Sequence, residues 1–190
     1  NKTSPISPVI YNPNTQYQFN ITWMDNETSV DSVFFEHDFT GVLTNYTSSG
    51  INGSEYFYNS TGLGVGSYIW RSYANDTANN WNVTDQWNYI ILQNNSIVNL
   101  TLNGTDANII VESGKFINIS GYLLQPSTGT IQLYREGTLI NSGQNFITNM
   151  SQFITPGVYN ITVLYPNTQN YSASQEQHNI TVVDTTVPNI

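Results

Sequence analysis

The sequence predicts an all-β protein built as two consecutive sandwich domains, and three observations carry that expectation. Runs of five to eight residues rich in Val, Ile, Thr, Tyr, Phe and Trp alternate apolar with polar at period two. Turn-forming residues punctuate these runs at short spacing, and no 3.6-residue periodicity interrupts them. The chain also repeats itself loosely at an offset of about 90 to 98 residues. Two units of that size fit two small β domains better than one large one.

The elements follow in order. Residues 1–11, NKTSPISPVIY, read as an extended lead-in that its prolines confine to a sheet edge. Tyr17, Phe19, Ile21 and Trp23 form the first inward-facing row. Turns are expected at Asn52-Gly53 and from Ser60 to Gly66, before the strand GSYIWRSY at 66–73. A polar loop carrying Asn80-Trp81 leads to the strand WNYIIL at 87–92. The second half repeats the plan: Ile117, Ile119, Gly121 and Leu123 form a row, and GVYNITVLY at 157–165 matches the earlier strand. Its turns are expected at Pro126 to Gly129, Glu136-Gly137, Ser142-Gly143 and Thr155 to Gly157. Asn170-Tyr171 matches Asn80-Trp81, and HNITVV at 178–183 closes the unit.

About seven short strands per half is the count of an immunoglobulin-like sandwich, so the expectation is two consecutive immunoglobulin-like β-sandwich domains. The domains are placed at 1–93 and 94–184, with 185–190 as a linker or inter-subunit strand. Gly-x-Tyr supports this: Tyr68 and Tyr159 sit where a corner tyrosine would turn its hydroxyl back onto backbone.

Composition narrows the function. Only 9% of residues are charged, against roughly 25% in a typical domain. Four basic residues (Lys2, Arg71, Lys115, Arg135) cannot track phosphates, so nucleic acid is not an expected partner. Cysteine is absent, which removes thiol chemistry and the commonest zinc sites. No stretch approaches the roughly 20 apolar residues of a membrane span. Beginning at Asn rather than Met, the chain reads as a processed product or as a segment of something longer.

Sixteen N-x-S/T sequons are the densest signal: Asn1, Asn20, Asn26, Asn45, Asn52, Asn59, Asn75, Asn82, Asn94, Asn99, Asn103, Asn118, Asn149, Asn160, Asn170 and Asn179. With 27 Asn and 40 Ser plus Thr, random placement would give roughly six. The excess points to covalent N-glycans and an extracellular, cell-surface location. Four sequons, at Asn20, Asn118, Asn160 and Asn179, are Asn-Ile-Thr/Ser inside expected strands. Alternation there sends Ile to the core and Asn to solvent. The remaining acceptors are expected mainly in loops.

Several stretches resemble tandem repeats of microbial surface proteins. In the second half GKFINISGYL, TIQLYREGTLI and ITPGVYNITVLYPNTQNYSAS are similar to bacterial Ig-like repeats, with Gly157, Tyr159, Asn170, Tyr171 and Ser174 carrying the pattern. LGVGSYIWRSYANDTANNW in the first half resembles fibronectin- or cadherin-like repeats. With this sequon density the whole is most similar to archaeal cell-surface glycoproteins. The resemblance implies a structural, non-enzymatic role in a filament, S-layer or stalk. Its partners would be copies of itself or neighbouring Ig-like repeats.

Candidate chemistry is sparse. His37 lies between Glu36 and Asp38, but alternation sends the carboxylates to one face and the imidazole to the other. His178 reads as a strand-end residue. Calcium, which stiffens junctions in related arrays, has weak candidate ligands in Asp76, Asp85, Asp106 and Glu112, without the carboxylate density of a dedicated loop. No cofactor is expected. Trp23 and Trp70 fall in phase with the core. Trp81, placed in a loop, is the one candidate platform for an adhesin or carbohydrate-binding module. A non-catalytic accessory region of a secreted enzyme is the third class. The segment DTTVPNI at 184–190 would open a following domain in a longer array, or pair with a neighbouring subunit.

Overall fold

A computed structural model describes residues 5–188, so the acceptor Asn1 and the last two residues of the terminal segment lie outside the described residues. The chain divides into two compact units, Asn1–Asn94 and Asn95–Ile190. Each is a sandwich of two sheets.

The first unit holds β1 (Val9–Ile10), β2 (Gln16–Thr22), β3 (Val30–His37), β4 (Thr44–Thr47) and β5 (Gly50–Asn52). It continues with β6 (Glu55–Thr61), β7 (Gly66–Asp76), β8 (Trp81–Val83) and β9 (Trp87–Leu92). One sheet runs β1-β9-β7-β3-β4 with β8 added beside β7, and the other runs β2-β6-β5. The proline-bearing lead-in supplies β1, which pairs parallel with β9 at a sheet edge. Between the sheets lies a core of Phe19, Phe35, Trp70, Tyr89 and Ile91, each 1–2% exposed or less. Its rings meet edge-on, as quadrupoles prefer: Phe19 against Trp70 at 5.3 Å and against Tyr89 at 5.2 Å.

The second unit holds β10 (Ile97–Leu102), β11 (Ile109–Glu112), β12 (Lys115–Gln125), β13 (Thr130–Arg135) and β14 (Thr138–Gln144). It closes with β15 (Phe146–Phe153), β16 (Gly157–Tyr165) and β17 (Ser174–Val183). The sheets run β10-β12-β15 and β11-β17-β16-β13-β14. Here the core is aliphatic: Leu100, Leu102, Ile119, Ile131, Leu133, Ile161, Val163 and Ile180 are all fully buried. Gly121 lets the sheets close, since a Cβ there would stand 2.8 Å from Val163 Cγ2.

Both corner tyrosines behave as expected. Tyr68 donates its hydroxyl to the Gly64 carbonyl and Tyr159 to the Thr155 carbonyl, each at 2.9 Å and four residues upstream. The tight turn Glu136-Gly137 takes positive φ at both residues, which twists the β13–β14 hairpin the right way. Ser142-Gly143 is not a turn. It continues β14, and the chain reverses instead at Asn145, whose φ is +59°. Asn145 holds that conformation because its side chain accepts from Gly129 N–H and donates to Ser127 O.

Candidate functional site

The four Asn-Ile-Thr/Ser strands show the expected phase. Ile21, Ile119, Ile161 and Ile180 are at most 3% exposed, while Asn20, Asn118, Asn160 and Asn179 point away from the core. Each buried Ile contributes about 1.5–3 kcal/mol, and a one-residue slip would exchange it for an asparagine, so register is held firmly. No acceptor residue among those described is fully buried, although Asn20 Oδ1 is covered, and Asn26, Asn45, Asn52, Asn82 and Asn103 are exposed.

Two features depart from the sequence expectation. The other acceptors do not fall mainly in loops. Asn45, Asn52, Asn59, Asn75, Asn82, Asn99 and Asn149 all lie in strands, leaving Asn26, Asn94, Asn103 and Asn170 between them. The strands are simply closer together than turn residues suggest. Asn149 also breaks the phase rule. It pairs with Ile119, shares that residue's inward face, and donates its amide to Ile140 O, while its neighbour Met150 is 64% exposed. Asn160 and Asn179 are direct cross-strand partners on β16 and β17, so two acceptors stand side by side.

Around Trp81 the structure corrects the sequence twice. Trp81 is in β8 and not in a loop. It is also not equivalent to Tyr171: Tyr171 packs against the core of the second unit, whereas Trp81 is 56% exposed on an outer sheet face. There it stacks on Phe34, with ring centres 6.0 Å apart and planes 24° from parallel. Phe34, Asn45, Thr47, Tyr73 and Trp81 line a groove of about 290 Å³. The indole N–H donates to Asn79 Oδ1 at 3.1 Å, which leaves the ring's apolar face outward. Trp70 is buried as expected, while Trp23 is only partly buried and donates to Ser72 Oγ at 3.0 Å.

His37 is sealed inside the first unit at 1% exposure, stacked between Phe39 at 3.9 Å and Tyr46 at 4.3 Å with Tyr58 beside it. Nδ1 accepts the Phe39 N–H, so the neutral ring carries its proton on Nε2, which has no partner among the described residues. Burial drives its pKa down to about 4, and the charge of Asp38 opposes only part of that. Its carboxylate neighbours are occupied elsewhere: Glu36 pairs with Arg71 and Asp38 accepts the Ile69 N–H. The alternation argument against a Glu36–His37–Asp38 cluster therefore holds in the structure.

The calcium candidates do not gather into one site. Asp76 caps the Asn80 turn through both oxygens, Glu112 accepts from Thr185, and Asp85 is exposed. Asp106 instead meets His178 at 2.9 Å, with Glu176 at 3.7 Å from the same imidazole nitrogen. His178 thus lies in mid-strand with two carboxylates, not at a strand end. Sequence reasoning missed this cluster because Asp106, in the loop between β10 and β11, is brought to His178 only by the parallel pairing of β11 with β17. Its groups already satisfy one another: Glu176 accepts the Leu100 N–H, and Asp106 also accepts from Asn99. The Asp106 carboxyl is held below its usual range chiefly by the His178 hydrogen bond.

No protein-family model matches the chain, and no curated protein matches it in sequence. Among solved structures, the titin domains Z1Z2 in complex with telethonin share 12% identity over 98% of this chain and 97% of theirs, with a TM-score of 0.52. The fold is immunoglobulin-like. Fibronectin(III)-like modules of CbhA from Clostridium thermocellum share 15% identity over 100% of this chain and 97% of theirs, at a TM-score of 0.37.

Proposed function

We propose that this immunoglobulin-like pair is a non-enzymatic structural segment of an extracellular filament, S-layer or surface stalk. It is N-glycosylated, and it is of the type found in archaeal cell-surface glycoproteins. The observation that carries this is the phase of the acceptors: a threefold excess of sequons falls on a chain whose described acceptors, Asn149 apart, face away from the buried core. Glycans on those faces would shield strand edges and backbone from proteases and from unwanted pairing. His37, the histidine flanked by carboxylates, is walled off by aromatic rings and out of reach of any substrate.

Linkage to neighbouring copies is supported by a difference between the units. In the second, β10 covers the edge of β12. In the first, no strand among the described residues covers the matching edge of β2. An uncovered edge is a template for a strand from another copy or repeat. Micrographs of native material should show regular axial repeats, and peptide mapping should show sugar on several sequons. A monodisperse monomer lacking sugar would refute the proposal.

A carbohydrate-binding role is the second reading, favoured by the exposed Trp81–Phe34 stack.

A further inference from the structure

The aromatic groove of the first unit contains its own candidate occupant. Two of its five lining residues, Asn45 and Thr47, are the first and third residues of one sequon. Cross-strand register explains the arrangement. Thr47 pairs with Phe34, Phe34 with Tyr73 and Tyr73 with Val83, which lays an aromatic row across the outer face from β4 to β8. Trp81 closes the row by stacking on Phe34. Asn45 stands on the same face one strand repeat away, about 7 Å along β4. Its neighbours there are Glu36 and Arg71, an ion pair able to meet sugar hydroxyls.

We infer that the first pyranose ring of a glycan carried on Asn45 folds back into this groove and stacks on Trp81, Phe34 and Tyr73. The inference rests on the glycoprotein reading above. Four points favour a tethered sugar. The Asn45 side chain is exposed and makes no hydrogen bond among the described residues, so its amide is free for the transferase. By contrast, Asn75, Asn99 and Asn149 spend their amide nitrogens on Asp31, Asp106 and Ile140. The groove, at about 290 Å³, sits just below the roughly 300–1,000 Å³ of pockets that take drug-sized ligands, and so suits a single ring. The Trp81 indole N–H is already bonded to Asn79, leaving an apolar face for C–H stacking. Finally, a covalent tether supplies a high effective concentration, so this open groove needs little intrinsic affinity to be filled.

The test uses native glycosylated protein beside its Asn45→Gln and Trp81→Ala variants. Peptide mapping first establishes which sequons carry sugar. NMR should then show upfield-shifted ring protons on the Asn45 sugar, with cross-peaks to Trp81, and both should vanish in W81A. Iodide quenching should give a second reading, since Trp70 is buried and Trp23 and Trp87 are partly so, while Trp81 is open. Quenching should rise in N45Q but be lost in W81A. An occupied Asn45 without shifted sugar protons overturns the inference and leaves the glycoprotein reading standing. A bare Asn45 on a protein glycosylated elsewhere overturns it likewise. Sugar at no sequon at all would overturn both.

Discussion

Acid should unfold the first unit earlier than its carboxylates predict, because of His37. The neutral imidazole is buried between two rings and its pKa falls from 6.5 to about 4. The folded value lies below the unfolded one, so the neutral form carries the stability. That contribution is complete above about pH 6.5 and is lost as pH falls from there towards 4. Each pKa unit is worth 1.36 kcal/mol, so linkage gives a loss of roughly 2 kcal/mol between pH 7 and pH 5, and roughly 3 kcal/mol by pH 4. Asp25, Asp76 and Asp106, held below their usual range by local hydrogen bonds, lose their contributions only below about pH 4. The interval from pH 7 to 5 therefore isolates the histidine. All four tryptophans lie at or before residue 87, so tryptophan fluorescence during urea unfolding of the intact chain reports on the first unit alone. His37→Phe keeps an aromatic ring in the stack and removes the unpartnered Nε2–H, at the loss of the acceptor for Phe39 N–H. Its urea midpoint should be flat over this interval while the wild type falls. A wild-type midpoint that does not move between pH 7 and 5, or an H37F midpoint that falls in parallel, would refute the assignment.

Other outcomes follow from single contacts. Tyr68→Phe and Tyr159→Phe each strand a carbonyl, at Gly64 or Thr155, and should each lose about 1 kcal/mol in thermal melts; unchanged midpoints would mean the corners are ornamental. Gly121→Ala drives a methyl against Val163 and Leu133 in a full core and should cost about 1–3 kcal/mol by urea unfolding followed in the far-UV; an equal or higher midpoint would show slack between the sheets. Peptide mapping of native protein should find sugar at Asn26, Asn45, Asn52, Asn82 and Asn103, whose amides are exposed, and none at Asn149, whose amide faces inward; occupancy at Asn149 would mean transfer precedes folding and the strand tolerates it.

Much of the fold was legible because β alternation and burial report the same thing. Tyr17, Phe19 and Ile21 alternate in sequence and are all within 3% of full burial, and Gly-x-Tyr located both corners. What stayed hidden depends on register between distant strands, which local pattern does not encode. Ser142-Gly143 looks like a turn by composition, yet ladder bonds to β13 hold it extended and leave the reversal to Asn145. Asp106 and His178 are 72 positions apart and meet only through packing. Trp81 looked like a loop residue because Asn79 and Asn80 precede it, and a three-residue strand is too short to show alternation.

Asn149 shows how register limits the sequon as evidence. Asn149-Met150-Ser151 has the same spacing as Asn118-Ile119-Ser120, and both lie in strands of one sheet. In the second the middle residue is buried; in the first it is 64% exposed. The difference is which residue of the triplet the neighbouring strand places towards the core. Pairing with β12 sets Ile147, Asn149 and Phe153 on the inner face, with Ile147 and Phe153 buried on either side of the asparagine. Removing those two side chains from water stabilises the register by about 3–6 kcal/mol together, more than the asparagine and serine beside them oppose it with once they are hydrogen-bonded. The core therefore dictates the register, and the sequon is carried inward with it. A strand sequon presents its asparagine to solvent only when the neighbouring strands leave that asparagine off the packed core, which a buried middle Ile ensures at Asn20, Asn118, Asn160 and Asn179 and the exposed Met150 does not at Asn149.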